Sequence, residues 1–393
     1  MKNNTAESTD IRHARKKQKR KRRIIRITGL IAFAGICVCV YLTRAMWLPK
    51  LEGILDRNKG LIVNDGKLEA GNFPLEVTDS GKAGLVTLED YFVMVDDSDI
   101  KLFNVNGELE NSIPHTLAHP AAAVSGKRML IYENGGNSFE VINKKGEIFK
   151  KTIDDLILLA DMKSGKTAIV TQTDKYDAYL TVYDETGNVI YKWAANKRIS
   201  AVSVNEDGDG CCLAVFTSEA GVMKSEIHEL DFSSQEDKMV SVPLDSLIIA
   251  AEKNKANDIW AVGDSKLFRI DDNGTVASSY EYNGELCAYD ISGKLCAVAL
   301  KGNVRKTSEL LIFSSDDNDI TGDERITSGV IKSLVIDDDN VFMLSEQSAE
   351  CFDDHAELIA TAAVSNEYVD FVYLDDSLVF LGYREINKIK FKT

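Results

Sequence analysis

The chain has 393 residues, of which 44% are hydrophobic and only 5 are proline, a composition that supports a packed core and excludes a disordered chain. Its net charge of −16 is unevenly spread, because eleven lysines and arginines lie in residues 1–26 against two acids, which leaves the remainder strongly acidic. An acidic body repels phosphates, so nucleic acid is excluded as a partner.

The first predicted element is a membrane span that follows the basic run directly. Residues 27–43 carry no charge, and the apolar length extends to residue 48 if Arg44 snorkels to the headgroups. Tyr41 and Trp47 stand where interfacial aromatic side chains are expected, and the cations before the span predict a cytoplasmic N-terminus. No small-residue cleavage site follows, which favours an uncleaved anchor over a signal peptide. The sequence therefore predicts a basic cytoplasmic tail (1–26), a transmembrane helix (27–48), a linker (49–60) and an extracytoplasmic body (61–393).

A glycine turn recurs at a regular interval in the body. Successive copies are separated by 41, 39, 41 and 87 residues, and the last gap is two periods with one degenerate copy between them. A period near 40 residues with four short strands in each unit is typical of β-propeller blades. The glycines of the five clear copies are Gly66, Gly107, Gly146, Gly187 and Gly274.

Apolar, strand-like runs indicate how many units the body contains. A further short strand precedes most of them, as "LILLADM" (156–162) precedes the third run. The sequence predicts an all-β protein with an eight-bladed β-propeller, or a seven-bladed one if a degenerate copy is absorbed. The eight runs span residues 91–97, 128–134, 167–173, 211–217, 258–264, 295–301, 341–347 and 378–384.

The two ends of the body are predicted to close the ring together. The last unit reaches Thr393 with three strands and lacks its outermost one. The segment "DGKLEAGNF" (65–73) reads as a turn and an outer strand without a unit of its own. Joining the two leaves no open edge between the first and last blades.

The hairpin "YDETGNVIYKW" (183–193) carries a resemblance to a known repeat. A strand, an Asp-x-x-Gly turn and a strand ending in tryptophan recur in quinoprotein (PQQ)-like propellers, and Asp184, Gly187 and Trp193 match that pattern. With its basic tail and single span, the chain resembles an uncharacterised family of single-pass, membrane-anchored β-propellers of Gram-positive bacteria with PQQ-like or WD40-like repeats. The resemblance implies a fold and a location but no activity.

Patterns for catalysis or cofactor binding are weak. The vicinal pair Cys211–Cys212 would suit a quinone cofactor, but it opens a run predicted to be blade core and no tryptophan-rich platform accompanies it. We therefore expect no cofactor. No zinc, Walker or hydrolase motif is present, so we expect no metal site and no enzyme activity. Whether Cys287 and Cys296 form a disulfide stays open, with free buried thiols favoured.

Histidines are few and scattered along the chain. Two of them, His115 and His119, lie between prolines in "PHTLAHP" (114–120). Such a segment predicts a surface loop between two units rather than a helix that could present both rings to a metal.

The favoured function is a non-catalytic protein–protein interaction or scaffold module of the cell envelope, with an envelope protein as the partner. Loops vary while the strands keep a propeller rigid, so binding residues concentrate there. The loops after the second strands are longest in units three, four and six, and they bring cations into an acidic body. The candidate partner-binding residues are Lys175, Tyr176, Lys224, Arg305 and Lys306.

The alternative is a cell-wall ligand sensor or hydrolase that uses the central channel. That function requires carboxylates at the ends of the innermost strands. The candidates are Asp161, Glu206, Asp290 and Asp338.

Overall fold

The computed structural model describes residues 61–69, 71–77, 84–219, 221–234, 236–254, 256–302, 307–315 and 323–393. The predicted tail, transmembrane helix and linker lie outside these residues. In the described part, no helix has the length and apolar character needed to cross a membrane. Contacts divide the chain into a unit ending at Leu61 and a unit spanning Ile62–Thr393. All of the strands among the described residues lie in the second unit.

Antiparallel four-stranded sheets follow one another along the chain after two short strands, β1 (Ile62–Val63) and β2 (Leu75–Glu76). Blades 1 and 2 are β3 (Gly84–Leu88), β4 (Tyr91–Val95), β5 (Asp99–Asn104), β6 (Leu109–Pro114), β7 (Pro120–Ser125), β8 (Arg128–Glu133), β9 (Ser138–Asn143) and β10 (Gly146–Thr152). Blades 3 and 4 are β11 (Leu156–Lys163), β12 (Lys166–Gln172), β13 (Ala178–Tyr183), β14 (Val189–Ala195), β15 (Arg198–Val204), β16 (Gly210–Glu219), β17 (Val222–Asp231) and β18 (Asp237–Val240).

The second half of the ring repeats the pattern. Blades 5 and 6 are β19 (Ile248–Lys253), β20 (Ile259–Gly263), β21 (Lys266–Ile270), β22 (Val276–Glu281), β23 (Glu285–Ser292), β24 (Leu295–Lys301), β25 (Thr307–Ser314) and β26 (Asp323–Ser328). Blades 7 and 8 are β27 (Ile331–Asp337), β28 (Asn340–Ser345), β29 (Ser348–Phe352), β30 (Leu358–Ala363), β31 (Tyr368–Leu374), β32 (Ser377–Gly382) and β33 (Glu385–Lys390), with β2 as the fourth strand of blade 8.

The eight apolar runs are the second strands of the eight blades, which confirms the predicted eight-bladed propeller. These strands read as continuous apolar stretches because each blade is covered on both faces by its neighbours. In β20, for example, every residue is buried, whereas the outer strand β10 alternates exposed and partly buried side chains. Hydrophobic clusters lie between adjacent blades around the whole ring, including one between blades 8 and 1.

The recurring glycine turn joins the third and fourth strands of a blade. In the hairpin of blade 3, Asp184 Oδ1 accepts hydrogen bonds from the amides of Thr186 and Asn188, both at 2.9 Å. Gly187 has a φ of 85°, in the left-handed region that a side chain disfavours. The turn therefore requires an Asp or Asn at its first position and favours a glycine at its fourth. The same carboxylate or amide acceptor recurs at Asn104, Asp271 and Asp353.

The N-terminal strands close the ring, as predicted, although the bounds differ. The fourth strand of blade 8 is β2, antiparallel to β33, and only a bridge from Leu68 to Ile389 falls within the predicted segment. In addition, β1 runs parallel to β30 outside the outermost strand of blade 7. Asn64 joins the two ends of the body, since its side chain donates to the carbonyl of Lys392 at 3.3 Å and accepts from the Lys392 amide at 3.0 Å.

Candidate functional site

The innermost strands of blades 3 to 8 share a β-bulge at the same place. A bulge re-aims the side chains that follow it. The residue two positions beyond the bulge is polar in blades 3 to 6 and apolar in blades 7 and 8, so the channel wall has a charged part. These residues are Asp161, Ser203, Glu252, Asp290, Val335 and Val372.

Two of these carboxylates bind the neighbouring blade. Asp161 Oδ2 accepts a hydrogen bond from the amide of Val204 in blade 4 at 2.8 Å. Asp290 Oδ2 accepts one from the amide of Ile336 in blade 7 at 2.7 Å, in the equivalent position. The innermost strand of a blade is a sheet edge with unpaired amides, so each carboxylate satisfies a donor that the ladder leaves open.

An ion pair joins two blades that are not neighbours in the ring. Lys163 Nζ of blade 3 lies 2.6 Å from Glu252 Oε1 of blade 5, and the two side chains are 24% and 19% exposed. Both residues line a cavity of about 250 Å³ whose walls come from β11, β15, β19 and β23. We call this space the channel cavity. Asp161, Asp290 and the ring of Tyr289 also line it.

Burial sets the ionisation of these groups. It raises the pKa of Asp290 to about 6, against the lowering effect of the Ile336 and Ile291 amides. Burial also raises the pKa of Asp161 and of Glu252, although Lys163 acts in the opposite direction on both. For Lys163 itself, burial works to lower the pKa, but the carboxylates around it outweigh burial and raise it. The channel cavity thus holds the Lys163 ammonium among carboxylates whose pKa values are raised, and at a pKa of about 6 Asp290 is still mostly ionised at neutral pH.

The sequence identified the channel carboxylates only in part. Glu206 and Asp338 are exposed in the turns after β15 and β27, so the structure does not bring them to the cavity. Glu252 and Lys163 were missed. Aligning "LILLAD", "LIIAAE" and "ELCAYD" places Asp161, Glu252 and Asp290 in one column, a signal that would have found Glu252.

The second-to-third-strand turns and the interblade connections lie on one face of the ring, here called the loop face. On blade 3 Lys175 is exposed, and its Nζ lies 5.0 Å from the centre of the Tyr176 ring. That ring stacks on Tyr179 with 6.1 Å between centroids. Lys224 is exposed on β17 near the same face. Of the remaining candidates, Arg305 and Lys306 fall outside the described residues, and the partner-binding set stays a prediction.

Another loop-face feature was not found from the sequence. Tyr383, 58% exposed, lies in the turn between β32 and β33 of blade 8. It lines a hollow of about 500 Å³ together with Glu367, Tyr368 and Arg384. An isolated Tyr-Arg pair in a tight turn has no sequence pattern that separates it from an ordinary hairpin.

Four of the five described cysteines and His115 behave as core groups. Cys211 packs between blades 3 and 4 and Cys212 between blades 4 and 5, so successive residues of β16 enter different cores. All five described cysteines are free, and Cys296 is buried and pairs in register with Ile291, but Cys287 is exposed, so the expectation of a buried thiol is wrong for it. The surface-loop prediction is wrong for His115, which is 7% exposed with Nε2 2.7 Å from the carbonyl oxygen of Asp96. Its ring fills the space beneath the interblade connection and satisfies that carbonyl.

Trp193 binds the neighbouring blade. Its Nε1 donates to Asp237 Oδ1 of blade 4 at 2.9 Å. The other oxygen of Asp237 lies 2.7 Å from His228 Nδ1, and the Trp193 and His228 rings are 5.4 Å apart. The tryptophan at the end of the repeat therefore links the outer strands of blades 3 and 4 through a hydrogen bond. Among the described residues, no group of three or more His, Cys, Asp or Glu side chains could hold a metal ion.

These features define the class of the protein as an eight-bladed β-propeller with polar residues on one part of its channel wall. More particularly, the chain belongs to DUF5711, a family of unknown function whose pattern matches residues 74–391. No protein of curated function matches the sequence.

Solved propellers share the fold at low sequence identity. BamB from Moraxella catarrhalis superposes with a TM-score of 0.54 and 10% identity over 82% of this chain and 99% of BamB. Chaetomium thermophilum Sqt1, bound to the N-terminus of the ribosomal protein L10, gives 0.55 and 8% over 77% and 93% of the two chains. The Dos1 propeller gives 0.50 and 10% over 77% and 76%. At such identities the likeness concerns the fold alone.

Proposed function

We propose that the protein is a membrane-anchored, extracytoplasmic β-propeller that acts as a non-catalytic protein–protein interaction or scaffold module of the cell envelope. The observation that carries the proposal is the Lys175–Tyr176–Tyr179 set on the loop face of blade 3. Partly exposed aromatic rings, such as those of Tyr176 and Tyr179, supply much of the contact energy of protein interfaces when stacking holds them in place.

The geometry of this set supports a binding role. The amide of Tyr176 donates to Thr173 Oγ1 at 3.0 Å, which fixes the loop before any partner arrives. A preorganised loop loses little conformational entropy on binding. The lysine places a positive charge in an acidic body, which gives a partner with an acidic segment a preferred orientation.

Two further observations support the proposal. One propeller of similar fold, Sqt1, is seen bound to the N-terminus of a ribosomal protein. The basic run and apolar segment before residue 49 supply the proposed membrane anchor and the cytoplasmic N-terminus.

The experiment is crosslinking in intact cells with a membrane-impermeant reagent, comparing the wild-type chain with Tyr176→Ala and Lys175→Glu. We expect each change to lower capture of the partner by at least about fivefold, as truncation of an interface hot spot does. Lys145→Glu is the matched control, because Lys145 is exposed in a third-to-fourth-strand turn on the opposite face. Equal capture by all three variants and the wild type would contradict the proposal, and failure of the reagent to reach the body would contradict the location.

A further inference from the structure

The channel cavity has the shape of a small-molecule site. Its volume of about 250 Å³ corresponds to roughly eight water molecules at ~30 Å³ each. The walls from blades 4 and 5 carry small side chains, Ala201, Ser203, Ala250 and Ala251, which leave the space open. Because the first strands run away from the loop face, the cavity lies toward the other end of the channel. It is therefore separate from the proposed partner-binding loops.

The charges around the cavity do not balance. Three carboxylates, Asp161, Glu252 and Asp290, face one ammonium, that of Lys163. The ion pair satisfies Glu252, whereas the hydrogen bonds of Asp161 and Asp290 come from neutral backbone amides. Lys163 also attracts these two carboxylates, but one ammonium offsets only part of the negative charge of three carboxylates, so a second cation that enters the cavity gains from the remainder.

The remaining lining selects among cations. No group of described residues suits a metal ion, so the donor set points to an organic cation. Tyr289 is 40% exposed and lines the cavity, and an aromatic face attracts an ammonium group through its negative quadrupole. The alanine walls suit the aliphatic carbons next to such a group. An exposed ring and apolar walls beside a partly buried ion pair form a pocket with both an apolar and a polar side.

We propose that the channel cavity binds a primary alkylammonium group, supplied either by a free diamine or diamino acid or by a lysyl side chain of a peptide. The ammonium faces the carboxylates of Asp161 and Asp290, and its carbon chain packs on Tyr289 and the alanine walls. Lys163 holds Glu252 and repels the incoming cation, so it limits the affinity. This site is independent of partner binding at the loop face, and either function can fail without the other.

The test is calorimetric titration of the full-length chain with cadaverine, L-lysine, a lysine-containing peptide and Nε-acetyl-lysine. We expect cadaverine, L-lysine and the peptide to bind and Nε-acetyl-lysine to bind at least about tenfold more weakly, because acetylation removes the charge-assisted hydrogen bonds of the side-chain ammonium and leaves only an α-ammonium beside its own carboxylate. The peptide and the free amines distinguish the two sources of the ammonium group. Equal binding of lysine and Nε-acetyl-lysine, or no binding of any ammonium probe up to about 10 mM, overturns the proposal.

The proposed site predicts that some variants weaken ligand binding and another tightens it, whereas a folding defect would weaken binding in every variant. Asp290→Asn is expected to weaken cadaverine binding by about tenfold, while Asp272→Asn, an exposed turn carboxylate, leaves it unchanged. Lys163→Met removes the competing cation and is expected to tighten binding by about tenfold or more. Tyr289→Phe keeps the ring and the affinity, whereas Tyr289→Ala weakens binding. Weaker binding by Lys163→Met, or equal loss in the Asp290 and Asp272 variants, contradicts the assignment.

Discussion

Replacing Asp290 by asparagine is expected to stabilise the protein above neutral pH and to destabilise it in acid. Burial raises the pKa of this carboxyl from 3.8 to about 6. As pH rises from about 4 to 6 the unfolded chain loses the proton first, so the free energy of unfolding falls over that window. Two pKa units correspond to about 3 kcal/mol, and the partial exposure of the channel wall reduces this to about 2 kcal/mol.

The asparagine keeps one of the two hydrogen bonds that Asp290 accepts. Its Oδ1 can still accept from the Ile336 amide, but the 3.0 Å bond from the Ile291 amide is lost. That loss costs about 1 kcal/mol at every pH. The variant should therefore be more stable than the wild type by about 1 kcal/mol at pH 8 and less stable by about 1 kcal/mol at pH 4.

The assay is denaturant unfolding of the full-length chain at pH values across this window, with the midpoint and slope fitted for each. Asp272→Asn serves as the control for the loss of one negative charge, because Asp272 lies exposed in the turn between β21 and β22. A variant that is less stable by the same amount at pH 4 and pH 8 would refute the reasoning. That result would mean that Asp290 is a structural acceptor whose charge carries no penalty in the fold.

Other predictions concern the blade contacts. Trp193→Phe removes the hydrogen bond to Asp237 and should lower the free energy of unfolding by about 1–2 kcal/mol, as measured by denaturant unfolding. An unchanged unfolding midpoint would show that this hydrogen bond contributes nothing to stability. Asn64→Ala removes both hydrogen bonds between the ends of the body and should lower the free energy of unfolding by about 1–2 kcal/mol. We expect faster amide hydrogen exchange that is confined to blades 7 and 8. Exchange that rises evenly around the ring would contradict a local closure. Burial raises the pKa of the Cys211 and Cys212 thiols, so neither should react with a thiol reagent until the chain unfolds; labelling in the native state would argue against the packing of β16.

The propeller could be predicted from the sequence because the strand and turn signals that produce it are local and recur in successive blades. A strand packed between two blades must be apolar on both faces, and a hairpin with a left-handed residue favours glycine, so both signals recur at a fixed spacing. Where the left-handed position holds Ala356, with a φ of 54°, the turn persists because Asp353 still accepts from the amides two and four residues later. The structure shows that this acceptor is the more constant part of the motif.

The channel cavity could not be predicted to the same degree, because its key contact is not local. Lys163 and Glu252 are 89 residues apart and belong to different blades, and only the closure of the ring brings them within 2.6 Å. His115 was misplaced for a related reason, since proline-flanked segments are exposed in most folds but here the interblade connection turns one ring inward. Periodicity identifies strands and turns, whereas contacts across a ring depend on blade number and tilt.

The way in which the chain joins the ring determines how the molecule carries load. β1 lies outside the outermost strand of blade 7, at the rim of the ring. Tension applied at residue 61 acts first on the two residue pairs between β1 and β30 and on the Asn64–Lys392 bonds.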